Sequence, residues 1–452
     1  MVPIKLKRAL EACGGRFFGD ENILDCDITG VTIDSRAVQP GFLFVPIKGE
    51  RFDGHDFIPA ARGSGALCCL TEKPLAEEPY ILVGSALDAF QSIAGAYRSL
   101  FDIPVVGITG SAGKTTTKEL IAGVLEQKYN ILKNEGNLNN QTGVPITLLR
   151  LEPCHEAAVI EMGMNHFGEI SNLSRIARPK VCVLTNIGEA HIEHLGSKEG
   201  ILKAKSEMLE YMEPDGHLVI NGDDPYLLPL KLKYPDAVTY GLGDHNSVRA
   251  RDIHELGLDG MSFTACYYGT ETRIHVPSPG AHMVMNALAA LAAGRLMGVS
   301  EEQIRRGIER FCPASGRMHV TDTGNIKILN DAYNANPTSM AASICVAAKA
   351  GGRSVCILGD MFELGEKGEE YHRQIGKRAA QEGVDLIVCA GTLSRHIYEA
   401  AKETGASALH FPDRQSLLAV LPEIIKKGDT VLVKASRGMR LETVVEWLKN
   451  NY

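Results

Sequence analysis

No Cys-x-x-Cys pair occurs among the eleven cysteines of this 452-residue chain, and their count is odd. Cys68 and Cys69 are adjacent, which suits neither a zinc knuckle nor an easy disulfide. That pattern excludes a disulfide framework and is expected of a protein in a reducing cytoplasm. A basic excess is also missing: 47 Lys and Arg face 55 Asp and Glu, for a formal net charge of −8. This argues against nucleic acid as a partner, although local basic pockets for small phosphorylated ligands are compatible with it. The opening MVPIKLKRALEACGG lacks the long apolar core of a signal peptide. The most apolar stretch, 283–299, contains Asn286, Arg295 and two glycines. It is too short and too polar for a membrane span and reads as a buried helix. Internal repeats and low-complexity tracts are absent.

What is present is ordinary for a globular protein: 44% apolar and 23% charged residues. The length predicts two to four domains, each with its own core. The most informative segment is PVVGITGSAGKTTTKEL, residues 104–120. It is an apolar strand, a glycine-rich turn, Gly-Lys-Thr and a helix, in the order of a nucleoside-triphosphate grip. Gly110 and Gly113 let backbone N–H groups of the turn converge on phosphate oxygens. Lys114 reaches the β- and γ-phosphates, the Thr115 hydroxyl ligates Mg²⁺, and the positive end of the helix faces the anion. The common motif has four residues between its first glycine and Gly-Lys. Here that position is Ile108, with glycines at 107 and 110, which indicates a subclass of P-loop enzyme.

Residues 1–100 mix short strand-like runs (ITGVTIDS, GFLFVPIKG, ALCCLTE, YILVG) with turns and end in a helix near 86–99. FDIP at 101–104 reads as a linker, because Pro104 forces its predecessor to be extended. From 101 to 315, strands PVVGIT, AAVIEMG, VCVLTNIG and HLVIN alternate with helices, as in a parallel sheet covered on both faces. Residues 237–280 are strand-rich and predict an antiparallel edge or side sheet. From 316 to 452, strands IKILND, SVCILGD, DLIVCAG and DTVLVKAS alternate with five helices, a second doubly wound unit. The expected fold class is therefore α/β, with a small α/β unit, a central P-loop unit and a Rossmann-like unit.

Ligands of open parallel sheets bind beyond the carboxyl ends of strands. Lys114, Thr115, Glu161 and His191 all lie at such ends. A carboxylate inside VIEMG is costly to bury without a partner, which favours function for Glu161. His191 and His194 in HIEH do not make the zinc pattern of a metalloprotease, and alone His191 reads as a surface histidine. Lys203 and Lys205 in GILKAKSEMLE read as a solvated helical face, and spacing does not mark Lys205. The asparagines of NEGNLNNQTGVP, including Asn139 and Asn140, serve equally as turn formers or as readers of a sugar or carboxylate. Lys434, Ser436 and Arg437 follow one strand of the last unit, and Asp331, Asn334 and Asn336 another, positions suited to an anionic ligand. Arg317, at the junction of the last two units, reads equally as a surface arginine or as one that swings onto a phosphate.

These motifs, in this order and over nearly the whole chain, resemble the Mur ligases, ATP-dependent amide-forming enzymes of peptidoglycan precursor synthesis. TGSAGKTTTKE resembles their shortened P-loop. NLNNQTGVP, NDAYNANPTSM and LGDMFELGE resemble the branch that adds D-alanyl-D-alanine to UDP-N-acetylmuramoyl-tripeptide. The Asp-Asn-Pro-Arg signature of the sibling that adds the third residue is absent from the sequence. The resemblance implies three domains: 1–100 for the UDP-sugar peptide, 101–315 for ATP and 316–452 as the Rossmann-like ligase domain. It implies ATP contacts from Gly110, Ser111, Ala112, Gly113, Lys114, Thr115 and Thr116. It further implies Asn286 at the adenine, Arg317 near the phosphates and Asp331 at the ribose. Thr115, Glu161, His191 and a carbamylated Lys205 would serve two magnesium ions, and Lys114, His191 and Lys205 would carry catalytic roles. Ser35 and Arg36 in IDSR, with the loop KGERFDGHDF beginning at Lys48, match the uridine-nucleotide site. Met283 stands where the family often has asparagine, a departure that bears on adenine contacts. The implied partners are the UDP-sugar tripeptide, D-alanyl-D-alanine and ATP, acting on a cytoplasmic monomer. Two other readings share the P-loop: a related ligase such as folylpolyglutamate synthase, and a regulatory NTPase.

Overall fold

The computed structural model describes residues 1–49 and 52–452. The chain is α/β, as expected, and folds as two compact units woven from separate stretches. The first comprises Met1–Gly107, Tyr129–Cys182 and Ser206–Gly216; the second comprises Ile108–Lys128, Val183–Lys205 and His217–Tyr452.

In the first unit a five-stranded sheet has the order Arg16–Phe18, Tyr80–Leu82, Cys68–Thr71, Phe42–Phe44, Gly30–Thr32. Its first pairing is antiparallel and the rest are parallel. Four of these strands are those expected from the short β-branched runs. Ser85 caps the helix Ala86–Arg98 through the Asp88 N–H. The far end of that helix fastens the next segment of chain. Arg98 is buried, and its guanidinium donates to the carbonyls of Ala177, Phe101 and Ile103 at 3.2, 2.6 and 2.8 Å. The 101–104 segment is therefore a pinned connection, and the extended backbone before Pro104 is held by one side chain. In the same unit Ile131–Lys133 pairs in parallel with Ala157–Glu161.

The second unit contains a six-stranded sheet in the order His319–Asp322, Lys327–Asn330, Asp429–Lys434, Arg353–Gly359, Leu386–Ala390, Ala408–Phe411. All its pairings are parallel except the first. Successive strand residues point to opposite faces, and the cores divide accordingly. Leu329, Cys356, Leu358 and Leu432 pack with Met340, Ile344, Ile375 and Ile397 of the helices on one face. Ile328, Val355, Ile357, Val431 and Val433 pack with Leu417, Leu421, Val444 and Leu448 on the other. That is the doubly wound arrangement expected from the alternating pattern. The two edge strands, His319–Asp322 and Ala408–Phe411, were not expected; being partly exposed, they carry no continuous apolar run.

Also in this unit, His217–Asn221, Val238–Gly241 and Val248–Glu255 pair in parallel, and Met261–Tyr267 and Thr270–Val276 complete the run antiparallel. Of the edge and the side sheet that the sequence left open, this is the edge: the two antiparallel strands continue the same sheet and do not form one of their own. The helix His282–Leu296 is buried on nearly every side, which explains its largely apolar composition. Among the described residues no helix is long and apolar enough to cross a membrane. All eleven cysteines lie among the described residues and are free.

Candidate nucleotide site

The strand Val105–Thr109 is buried throughout and runs into the turn that starts the helix Lys114–Leu125. Gly110 and Gly113 have φ of 154° and 79°, backbone that favours glycine. Space demands glycine as well. A Cβ on Gly110 would collide with Thr185 Oγ1, and one on Gly113 would lie 2.9 Å from Asn286 Oδ1.

Two residues that sequence reasoning passed over hold this turn in shape. Asn186 Oδ1 accepts from the Ala112 N–H at 2.9 Å, and its Nδ2 donates to the Ala112 carbonyl at 3.0 Å. Thr185 Oγ1 donates to the same carbonyl at 2.7 Å, and the Ser111 N–H donates to the Asn186 carbonyl at 3.0 Å. Of the amides expected to converge on phosphate, those of Ser111 and Ala112 are thus engaged within the protein. The amides opening the helix remain available to an anion, because the first turn of a helix has no intrahelical acceptors. Both residues sit in VCVLTNIG, just past a strand end, and that position was their only signal. Asn186→Ala strips both bonds from Ala112. It should cost about 1–2 kcal/mol, read as a lower melting temperature and weaker ADP binding.

Lys114 and Lys205 converge on one atom. Their Nζ groups donate to the Gly110 carbonyl at 2.8 and 3.0 Å. Lys205 is only 1% exposed, so the solvated face expected for it is wrong; Lys203, two residues earlier, is the exposed one. Helical periodicity could not decide this, because the face that packs is set by the P-loop arriving from elsewhere in the chain. Burial, and secondarily the charge of Lys114, holds the Lys205 amine well below the ordinary lysine range.

His191 is not a surface residue either. Its side chain is 21% exposed, its φ is 64°, and its Nδ1 lies 2.8 Å from Glu363 Oε2. Burial lowers its proton affinity, Glu363 opposes that, and the charges of Lys114 and Lys205 add to the lowering. The imidazole is thus electrostatically part of the same cluster as the two lysines. Glu363 comes from LGDMFELGE, to which sequence reasoning gave no chemical role.

Opposite the turn, Arg317 Nη2 donates to Thr115 Oγ1 at 3.3 Å. Arg317 is half-buried against the turn, so the plain surface reading does not describe its placement. A cavity of about 200 Å³ is lined by Gly113, Thr116, Met283, Asn286, Arg317 and Asp331, among others. Asn286 Oδ1 also accepts from Thr117 Oγ1 at 3.2 Å, so this residue braces the phosphate helix as well as facing the cavity. Met283 presents a buried thioether to the same wall.

Asp331 accepts from the Met318 N–H at 3.1 Å, from Ser343 Oγ at 2.6 Å and from Lys434 Nζ at 2.5 Å. Lys434 is buried, also donates to the Asn334 carbonyl at 3.1 Å, and lines this cavity. Its charge is matched by Asp331, which corrects the picture of a bare cation awaiting an anion. Ser436 is buried and accepts from the Phe362 N–H at 2.9 Å. Asn336 caps the helix Pro337–Lys349 and also reaches the Ser111 carbonyl at 3.5 Å. Asn334 is exposed, with its Oδ1 accepting from the Ala335 N–H.

The remaining expected residues lie in the first unit. Glu161 is 1% exposed; its Oε1 accepts from Asn139 Nδ2 at 2.8 Å, while Oε2 is buried with no hydrogen-bond partner among the described residues. An orphaned carboxylate oxygen is costly and fits a cation ligand. Asn140 Oδ1 accepts from the Gly143 N–H at 2.9 Å and from Thr142, so Asn140 shapes the turn before the helix Gly143–Leu148. The asparagine-rich loop is thus structural at Asn140 and supports the carboxylate at Asn139. Arg36 is exposed and forms a two-point pair with Asp34 at 2.9 and 2.8 Å, which pushes the Asp34 carboxyl down to about 2. Ser35 is half-buried and Lys48 exposed. Glu50 and Arg51 of the KGERFDGHDF loop lie outside the described residues. Among the described residues no three His, Cys, Asp or Glu side chains form a ready-made metal cluster.

Three family descriptions match consecutive parts of the chain. These are "Mur ligase family, catalytic domain" over 27–106, "Mur ligase middle domain" over 108–294 and "Mur ligase, glutamate ligase domain" over 316–437. The UDP-N-acetylmuramoyl-tripeptide–D-alanyl-D-alanine ligase of Bacillus subtilis is 40% identical over 93% of each chain. That of Escherichia coli is 35% identical over 100% of this chain and 99% of its own. The crystal structure of MurF from Acinetobacter baumannii superposes with a TM-score of 0.93 at 30% identity, covering 99% of each chain. MurF from Thermotoga maritima in complex with ADP superposes at 0.84 with 29% identity, over 94% of this chain and 97% of that one. A folylpolyglutamate synthase from Mycobacterium tuberculosis shares the fold, at 15% identity and a TM-score of 0.63.

Proposed function

The chain belongs to the Mur ligase family, and we propose that within it the chain joins D-alanyl-D-alanine to UDP-N-acetylmuramoyl-tripeptide at the expense of ATP. The observation that carries the chemistry is the meeting of Lys114 and Lys205 on the Gly110 carbonyl, with Arg317 on Thr115 across the turn. The near full-length likeness to ligases of that name supports the choice of substrates.

In the first step the tripeptide carboxylate attacks the γ-phosphorus, giving an acyl phosphate and ADP. In the second the dipeptide amine attacks the acyl carbon, and the tetrahedral adduct expels phosphate as the amide forms. A carboxylate is a poor acyl donor, so positioning and charge neutralisation are the work left to the protein. Lys114 and the amides opening its helix hold the terminal phosphates, and Arg317 adds a second cation beside Thr115. Asn286 and Met283 line the adenine side, and Asp331, fixed by Lys434 and Ser343, lies where a ribose contact is proposed.

Magnesium, when bound, supplies positive charge that neutralises the phosphate oxygens. In the second unit the hydroxyl of Thr115 and the imidazole of His191, with its lowered proton affinity, suit such a hard cation in kind, and in the first the orphaned oxygen of Glu161 does so by itself. A neutral Lys205 amine can add carbon dioxide to give a carbamate, releasing one proton, and so become an anionic ligand for a second ion. Residues 1–100, with Ser35, Arg36 and Lys48, are assigned the UDP-sugar peptide; 101–315 ATP; and 316–452, with Asn334 and Asn336, the amine-bearing substrate. A UDP-sugar and ATP as substrates, together with eleven free thiols, support action in the cytoplasm, and we assign a monomer.

The test is phosphate release from ATP with and without the other two substrates. Release is expected only when UDP-muramoyl-tripeptide and D-alanyl-D-alanine are both present. Rapid hydrolysis independent of both would mark a regulatory NTPase and overturn the assignment.

A further inference from the structure

Arg317 is long and flexible, and a cation held opposite a triphosphate must be fixed before the ligand arrives if it is to act without reorganising. Its fixing element is aromatic. The Arg317 guanidinium carbon lies 4.0 Å from the centre of the Tyr333 ring, well within cation–π range. From that platform Nη2 reaches Thr115 Oγ1 at 3.3 Å.

The platform itself is anchored. The Tyr333 N–H donates to the Gly316 carbonyl at 3.2 Å, directly beside Arg317 in the chain. Gly316 has φ of 74°, and a Cβ there would sit 3.1 Å from Tyr333 Cβ, so the approach requires glycine. On the other side of Arg317, the Met318 N–H donates to Asp331, two residues before Tyr333. The segments 316–318 and 331–333 are thus tied at both ends, with the guanidinium–ring contact between the ties. Arg437 also lies over this ring, at 4.8 Å. Two like charges would repel in the open; the electron-rich ring face offsets that repulsion.

We infer that Tyr333 is the positioning residue for Arg317, holding its guanidinium over Thr115 through the ring face and not through the phenol oxygen. This deepens the proposed function and rests on its reading of Arg317 as the phosphate-facing arginine.

The test uses the full chain with Tyr333→Phe and Tyr333→Leu, each alone and combined with Arg317→Ala. Two readouts are taken: ADP affinity in the absence of other substrates, and kcat against KM for ligation. Tyr333→Phe keeps the ring and should match the parent within about two-fold. Tyr333→Leu should lower kcat by roughly ten-fold, the scale of a lost cation–π contact, with KM for the UDP-sugar peptide unchanged. In the Arg317→Ala background Tyr333→Leu should have little further effect on ADP binding or on kcat, because the residue it positions is gone. Fully additive losses in the double variant would overturn the proposal, as would a Phe variant as impaired as the Leu variant. The ADP-binding cycle reads the coupling even if the chain proves to ligate other substrates, so failure of the inference is separable from failure of the functional assignment.

Discussion

Lys114→Ala is expected to abolish ligation, with kcat falling by about a thousand-fold or more, the scale of losing a preorganised charge at a transition state. Lys114 Nζ is tethered to the Gly110 carbonyl at 2.8 Å, at the mouth of the phosphate turn. Neither neighbouring cation can take its place. Lys205 is buried on the same carbonyl with its proton affinity depressed, and Arg317 is engaged at Thr115. Lys114→Arg should fare little better, because a planar guanidinium does not fit the tether of a compact ammonium. ADP binding should weaken less than kcat falls, since the helix amides and the cavity wall remain. The measurement is steady-state amide formation alongside ADP titration; near-normal turnover in the alanine variant would refute the phosphate-grip assignment.

Lys205→Ala should lose activity by roughly a hundred-fold, and millimolar short carboxylic acids should restore part of it. A buried amine beside another cation gives up its proton readily, and the neutral amine is the form that adds carbon dioxide. On the proposed carbamate, removing the side chain removes an anion, and a small carboxylate diffusing into the space supplies one. Stability should move the other way. The folded-state proton affinity of an unmodified Lys205 is lowered, so folding carries a penalty that is absent above the ordinary lysine pKa of about 10.4 and grows as pH falls below it. Lys205→Met in carbonate-free buffer should therefore melt no lower than the parent at pH 7 while being equally inactive. A fully active alanine variant, or one that carboxylic acids leave untouched, would sink the carbamate assignment.

Much of the site was legible in the chain alone. The shortened P-loop at 107–115 declares itself because its requirements are local: a strand, two glycines with room to turn, a lysine and a helix start. Four of the six strands in the last sheet were readable because they are buried on both faces and therefore carry unbroken apolar runs. The two edge strands were not, since partial exposure dilutes that signal. Asn140 and Asn139 look alike in sequence, yet one shapes a turn and the other holds Glu161. Which asparagine does which depends on what lies opposite it.

By itself the sequence determined the phosphate grip, the α/β class and the family, because each is encoded in contiguous residues whose backbone preferences and apolar spacing act over a few turns. Only the tertiary structure decided that Lys205 is buried, that Asn186 engages two amides of the loop, that Lys434 is matched by Asp331 and that Tyr333 carries Arg317. Those outcomes depend on segments from under twenty to about a hundred residues apart meeting in space. Burial, charge pairing and ring stacking are properties of the meeting, and no single stretch of chain contains them.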